Sequence, residues 1–326
     1  MINSNINFSE LPLSAKEFLN YMTTIKGKSK NTVNEYFFDL RTFFRYLKLN
    51  RKMISDDLEF DKIQINDLDL EFITTIELID LYDFLTYVSY ERDNENAARA
   101  RKVACLKSFF NYMSNKTKQL TTNPAAELES PKINKRLPKY MSMNESIDLL
   151  NTVNNMESES KERDFAIITL FLNCGMRLSE LVGININKIR GDTLTVIGKG
   201  NKERTVYLND ACKDAINNHL KVRPDSPREK NALFISKRGT RISAKTVQWL
   251  VKKYITCAGL DPEKYSVHKL RHTAATLMYK HGHVDIRALQ AILGHESVAT
   301  TEIYTHLDDE DLKNAINSNP LSKLKF

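Results

Sequence analysis

The sequence predicts a mainly α-helical protein with two units, the first all-helical and the second α+β with a small antiparallel sheet. Three observations carry this. The 326 residues include only 10 glycines and 8 prolines, too few for a turn-rich β protein. Apolar residues recur at i, i+3 and i+4 through most of the chain, the helical period. That period gives way to β-type runs at Thr193-Leu194-Thr195-Val196-Ile197 and Thr205-Val206-Tyr207-Leu208. The length allows each unit a core of its own.

In chain order, a helix is expected around 14–22, where Phe18, Leu19 and Met22 fall together. The next runs over 31–47, with Val33, Tyr36, Phe37, Leu40, Phe44 and Leu47 on one face and Ser29 or Asn31 as its cap. Its other face carries Lys30, Arg41, Arg45 and Lys48. A helix over 76–88 gathers Ile79, Leu81, Phe84, Leu85 and Val88. Another, over 97–113, gathers Val103, Leu106, Phe109, Phe110 and Met113, with Arg99, Arg101 and Lys102 in its first turns. Residues 1–122 thus read as a helical unit with two basic helix faces. Pro124, Pro131 and Pro138 break the pattern over 123–138, alongside Lys132, Lys135 and Arg136. Proline interrupts helix and extends the residue before it, so this stretch reads as a basic linker. In the remainder, 139–326, helices are expected at 144–153 and 163–174, the latter ending at Gly175. Gly198-Lys199-Gly200-Asn201-Lys202 then joins the two β runs as a hairpin turn. Helices resume over 211–220, 244–258, 269–281, 286–293 and 298–304.

Composition excludes several classes. At 41% hydrophobic and 27% charged, the chain is an ordinary globular one. Lys+Arg 48 against Asp+Glu 41 gives a net charge of +7, which points to a polyanionic partner. The charge is uneven: residues 51–95 hold four basic and thirteen acidic side chains, while the stretches on either side are net positive. That acidic block is expected to face away from a polyanion. Cys105, Cys174, Cys212 and Cys257 form no C-x-x-C pair, which argues against a zinc or redox motif and for a reduced, cytoplasmic setting. The polar start Met1-Ile2-Asn3-Ser4-Asn5 and the lack of an apolar run near 18 residues argue against a signal peptide and membrane insertion.

Six of the seven histidines lie between His268 and His306. A metal site is not expected, because H-E-x-x-H is missing and His268 and His272 form an unsupported i, i+4 pair. The arginines give the cluster another meaning. His268-Lys269-Leu270-Arg271-His272 sets His268 and Arg271 one helical turn apart. Upstream lies Gly175-Met176-Arg177-Leu178-Ser179-Glu180-Leu181; downstream lie Leu293-Gly294-His295 and Tyr304-Thr305-His306. With Gly198-Lys199-Gly200-Asn201-Lys202-Glu203-Arg204 between them, these motifs resemble, in order and spacing, the tyrosine recombinase (phage-integrase-type) family, most closely its Xer-like members. The resemblance extends to Asn31-Thr32 through Tyr46-Leu47 and to Arg101-Lys102-Val103 through Tyr112-Met113. Residues 51–75 depart from it, being longer and more acidic than the usual connection.

The resemblance implies a helical core-binding (SAM-like), DNA-binding domain over 1–122, a basic linker over 123–138 and a catalytic domain over 139–326. Phosphodiester transfer needs a nucleophile, cations on the nonbridging oxygens and an acid for the leaving oxygen. Arg177 and Arg271 suit the second task, since a guanidinium stays charged and presents a planar fork. Tyr304 is the candidate nucleophile, whose phosphodiester link to DNA lets strands be rejoined without ATP. The family position makes Lys199 the acid for the departing 5′ oxygen, with Lys202 its rival in the same turn. His268 and His295 would hydrogen-bond the phosphoryl oxygens, His268 also handling the tyrosine proton. His272 and His306 are expected to pack behind them, and Glu180 to orient Arg177. No cofactor and no metal is implied, as no carboxylate cluster accompanies the motifs.

The function implied is site-specific recombination through a 3′-phosphotyrosyl intermediate. Double-stranded DNA carrying a specific recombination site would be held between the two units. The assembly would be a homo-tetramer, or a hetero-tetramer with a related recombinase, on two sites, with the apolar tail over 312–326 docking on a neighbour. Resolution of chromosome or plasmid dimers is the expected role. A mobile-element integrase is the alternative, although only ten residues precede Leu11, too few for an arm-binding domain. An inactive DNA-binding regulator would require a lost catalytic residue, and a relaxing topoisomerase-like enzyme would share the chemistry without a specific site.

Overall fold

The structure is a computed structural model that describes residues 7–132, 139–198 and 202–301 together with Tyr304, apart from Asp56, Ser226, Pro227, His283, Glu296, Val298 and Ala299. The chain forms two compact units, 1–135 and 136–326.

The first unit is helical: α1 (Leu13–Thr24), α2 (Lys30–Asn50), α3 (Leu70–Thr74), α4 (Leu78–Tyr90) and α5 (Asn96–Asn111). Ser29, not Asn31, caps α2, its Oγ accepting the Thr32 N–H at 3.2 Å. The core is aromatic: Phe18, Phe37, Phe43, Phe44, Phe84, Phe109 and Phe110 are all fully buried. Phe43 meets Phe84 edge-on at 5.1 Å and Phe44 meets Phe109 edge-on at 5.9 Å, the arrangement favoured by ring quadrupoles. The five-residue α3 was not expected, being too short to show a period. Ala125 and Leu128, which the sequence places in the linker, are buried in this core, and residues 133–138 lie outside the described residues.

The two basic helix faces are partly covered: Lys30 is exposed, while several of the other basic side chains are buried or half-buried. Arg45 and Lys48 are buried, and the acidic stretch folds back on them. Arg45 Nη1 donates to Asp61 Oδ1 at 3.2 Å and its Nε to the Ile63 carbonyl at 3.1 Å. Lys48 Nζ donates to Asp67 Oδ1 at 2.7 Å, and Arg51 Nη2 to Asp80 Oδ2 at 2.9 Å. On α5, Arg101 and Lys102 each reach Asp39 of α2 at 2.7 Å. Asp39 is 1% exposed; burial raises its carboxyl, and Lys102 and Arg101 oppose the rise. The acidic block therefore supplies partners for α2 rather than simply facing away. Periodicity marks a polar face but cannot tell water from a distant segment as its neighbour.

The second unit begins with α6 (Met143–Asn155), capped by Ser142 and Glu145 in a reciprocal box. It continues with α7 (Lys161–Cys174), α8 (Leu178–Val182), β1 (Ile189–Arg190), β2 (Thr193–Ile197), β3 (Glu203–Tyr207), α9 (Asp210–Val222), α10 (Ala244–Cys257), α11 (Val267–Lys280) and α12 (Ile286–Leu293). The sheet is antiparallel in the order β1-β2-β3, with Leu194 opposite Val206 and Val196 opposite Arg204. The hairpin is as expected, but β3 starts at Glu203, because the ladder continues through residues whose charge hides them from a hydrophobic pattern. Apolar on nearly all sides, with Ile167, Ile168, Leu170 and Phe171 buried, α7 packs against α6, α9 and α11. Cys174 of α7 and Cys212 of α9, 38 positions apart in sequence, lie with their sulfurs 3.6 Å apart. The expected helix over 298–304 lies largely outside the described residues. Among the described residues no helix is long and apolar enough to cross a membrane.

Candidate active site

Two helix ends meet to make the site. Gly175 terminates α7 at φ +57° and Gly294 terminates α12 at φ +63°, left-handed conformations open to glycine at little cost. Space requires glycine as well. A Cβ on Gly175 would sit 2.9 Å from Leu293 Cδ2, and one on Gly294 would sit 2.8 Å from Arg204 Cδ. The close approach brings Arg177, two residues past Gly175, to the end of α12.

The last carbonyls of α12 are each taken by a different arginine. Arg204 Nη1 donates to Ile292 O at 2.6 Å, Arg271 Nη2 to Leu293 O at 2.7 Å and Arg177 Nη2 to Gly294 O at 2.8 Å. A helix C-terminus leaves these carbonyls unpaired and at the negative end of the helix dipole, so it gathers and aligns cations. Arg271 Nη1 also donates to Gly175 O at 2.6 Å, and one guanidinium thus holds both helix ends. Burial pulls Arg271 down to about 10, which leaves it charged at neutral pH.

Glu180 sits beneath the arginines, its side chain fully buried. Oε2 accepts the Arg177 N–H at 2.7 Å and Arg204 Nη2 at 2.8 Å. Oε1 accepts Arg177 Nη1 at 2.9 Å and Arg204 Nε at 3.1 Å. Burial pushes the carboxyl up, but these four hydrogen bonds hold it below the usual carboxylate range. The bond to the Arg177 N–H is also the local signal for α8, with Glu180 at its third position facing back to the start of the helix.

The histidines complete the arrangement. On α11, His268 Nε2 and His272 Nε2 are 2.9 Å apart, and His272 Nδ1 is 2.7 Å from the Tyr304 hydroxyl. Tyr304 is 3% exposed and packs with Ala275, Leu289 and Leu293. Burial pushes its phenol up to about 12 against the pull of Arg271. Burial pushes His272 down to about 4, with the neighbouring His268 adding to the shift. His295, which follows the α12 glycine, has its Nδ1 2.9 Å from Thr301 Oγ1. Burial and then Arg271 and Arg177 lower it to about 4. Both rings are therefore neutral at pH 7.

A cleft of about 550 Å³ opens over this cluster, and Arg177, His268, Arg271 and His295 line it with Lys252 and Tyr265. Tyr304 is not among the lining residues, its hydroxyl being turned to His272. His272, expected only to pack, therefore touches the phenol directly, while His268 reaches it through His272. The i, i+4 spacing already put both rings on one helix face; which of them meets Tyr304 depends on where α12 and the turn after it fall. Lys199 and His306 lie outside the described residues. Arg204 was not singled out from the sequence. Its signal was its β3 alternation with Val206 and Leu208, both buried, which aims it inward.

Comparison with known proteins finds relatives over most of the chain. Residues 139–311 match the phage integrase family model. The chain is 56% identical over 313 residues to tyrosine recombinase XerC of Caldanaerobacter subterraneus subsp. tengcongensis, covering 96% of this chain and 88% of that one. It is 35% identical over 301 residues to tyrosine recombinase XerD of Haemophilus influenzae, covering 91% and 94%. Among solved structures, the pre-cleavage complex of the XerH site-specific recombinase with its difH substrate superposes with a TM-score of 0.68 at 25% identity, over 93% of this chain and 84% of that one. A helix-end cluster of arginines and histidines around a buried tyrosine, on a fold and sequence shared across nearly the whole chain with these enzymes, leads to one conclusion: the chain belongs to the phage integrase family of tyrosine recombinases, among its Xer-like members.

Proposed function

We propose that the chain is a site-specific DNA recombinase that cuts and rejoins duplex DNA through a 3′-phosphotyrosyl intermediate, in which Tyr304 is the nucleophile. The observation that carries this reading is the convergence of Arg177, Arg271, His268 and His295 on one cleft with the Tyr304 hydroxyl one imidazole behind it. The scissile phosphate occupies the cleft, its nonbridging oxygens facing the remaining guanidinium N–H groups and the two imidazoles. The Tyr304 oxygen attacks phosphorus, the bond to the 5′ oxygen breaks, and that oxygen leaves as a hydroxyl. One phosphodiester replaces another, so rejoining needs no outside energy. The phenol proton passes to His272 Nδ1 while the Nε2–H of His272 hydrogen-bonds His268 Nε2, a direction open to a neutral imidazole. The leaving 5′ oxygen takes its proton from Lys199, as the family resemblance implies, with Lys202 the alternative.

Residues 1–122 act as the DNA-binding domain, joined by the basic stretch 123–138 to the catalytic domain 139–326. The net charge of +7 supports a DNA partner. The likeness to XerC and XerD supports a tetramer on two sites, alone or with a related recombinase, that resolves chromosome or plasmid dimers in the cytoplasm.

The test is a nicked suicide duplex carrying the recombination site. Tyr304→Phe should bind it as the wild type does and form no covalent complex. Covalent trapping that persists in Tyr304→Phe rejects Tyr304 as the nucleophile.

A further inference from the structure

We infer that Arg204 is a positioning residue for strand cleavage: by neutralising Glu180 it keeps the Arg177 charge available to the scissile phosphate. The inference rests on the cleft being the phosphodiester site. Its ground is one carboxylate shared by two guanidiniums. Glu180 is fully buried and takes two hydrogen bonds from Arg177 and two from Arg204. A buried carboxylate is held tightly by whatever cation remains to it. Without Arg204, both oxygens would turn on Arg177 alone and close it into a neutral pair.

The charge count makes the consequence concrete. Arg177, Arg204 and Arg271 against Glu180 leave two positive charges at the end of α12. A phosphodiester carries one negative charge, and a second develops on its oxygens as the tyrosine oxygen adds. The pocket thus matches the transition state better than the ground state, the condition for catalysis. Removing Arg204 leaves a single positive charge and reverses that preference. Arg204 does not line the cleft, so it acts through Glu180 and Arg177 rather than on the phosphate.

Arginine is suited to the place because its fork spans two acceptors. Nε and Nη2 hold Glu180 while Nη1 holds Ile292 O at 2.6 Å. That third bond lies beside the carbonyls held by Arg271 and Arg177, and the backbone continues directly into His295. Arg204 also stands on β3, the strand that follows Lys199 in the sequence. It therefore ties the hairpin to the arginine cluster. Lysine could neutralise Glu180 but could not bond Glu180 and Ile292 O in the same geometry.

The test uses the full-length protein on a nicked suicide duplex, reading single-turnover covalent-complex formation and DNA affinity separately. Arg204→Gln should slow covalent-complex formation about 10- to 100-fold while DNA affinity stays within about threefold. Removing the unbalanced charge as well, in Glu180→Gln/Arg204→Gln, should restore most of the lost rate. A purely architectural Arg204 predicts the opposite, since the double variant loses still more hydrogen bonds. Arg204→Lys should fall between wild type and Arg204→Gln. If Arg204→Gln does not fold, the double variant, which buries no unpaired charge, carries the test: a rate within about tenfold of Glu180→Gln supports the inference, and a slower one overturns it. A folded Arg204→Gln with wild-type rate, or a double variant no faster than Arg204→Gln, also overturns it. Wild-type protein that forms no covalent complex overturns the recombinase reading and this inference together; wild-type turnover with either failure above overturns the inference alone.

Discussion

Replacing His272 with phenylalanine is the sharpest probe of the proton path. The ring keeps its place in the packing, 5.5 Å from the Tyr304 ring, but the nitrogen 2.7 Å from the hydroxyl is gone. The phenol then sits 3% exposed with its proton and no base beside it. A phenol pushed up to about 12 does not ionise unaided at neutral pH. Loss of a positioned general base typically slows reaction about 10²- to 10⁴-fold, and the lower part of that range is expected because His268, 2.9 Å behind, can partly substitute. The assay is single-turnover covalent-complex formation on the suicide duplex, with DNA affinity measured in parallel and expected to stay at the wild-type value. A wild-type rate in His272→Phe, with the rate lost instead in His268→Phe, would refute the relay. Stability provides a second readout with a definite sign. His272 is held at about 4 in the fold against an ordinary 6.5. Between those values the unfolded chain binds a proton that the native ring refuses. Stability from this ring is therefore full above about pH 6.5 and lost as the pH falls to about 4, by about 3 kcal/mol. His272→Phe should flatten denaturation midpoints across that window.

Other expectations follow from the same geometry. Asp39→Ala leaves Lys102 and Arg101 facing each other without their shared carboxylate, and urea unfolding should show a loss of about 3–5 kcal/mol. Lys48→Met removes a buried cation paired with Asp67. It should change stability while leaving the salt dependence of DNA affinity unaltered; a shallower salt slope would return this face to the DNA interface. Gly294→Ala forces a side chain into a left-handed backbone 2.8 Å from Arg204 Cδ. It should lower the unfolding free energy by about 1–2 kcal/mol and slow covalent-complex formation without weakening DNA binding.

Much of this molecule is written locally. The helices α2, α7 and α11 announce themselves through apolar periods and, for α2 and α7, through Ser29 and Gly175 at their ends. The hairpin reads from two β runs around a glycine-rich turn. Arg177, His268, Arg271 and His295 belong to short motifs whose residue types match phosphate chemistry, and the cleft brings the four together. What the sequence could not reveal depends on contacts between distant positions. Arg204 reaches Ile292 across 88 positions and Glu180 across 24. His272 meets Tyr304 across 32, and the acidic stretch folds onto Arg45 and Lys48 across 16 and 19. The acceptors that align the three arginines are backbone carbonyls, present at every residue and therefore silent in any side-chain pattern. By itself the sequence marked Arg177, His268, Arg271 and His295 as candidate phosphate-binding groups, because residue type and helical period are local properties. Only the tertiary structure decided which charges neutralise each other and which imidazole lies against the Tyr304 hydroxyl, because pairing depends on where separate helix ends come to rest.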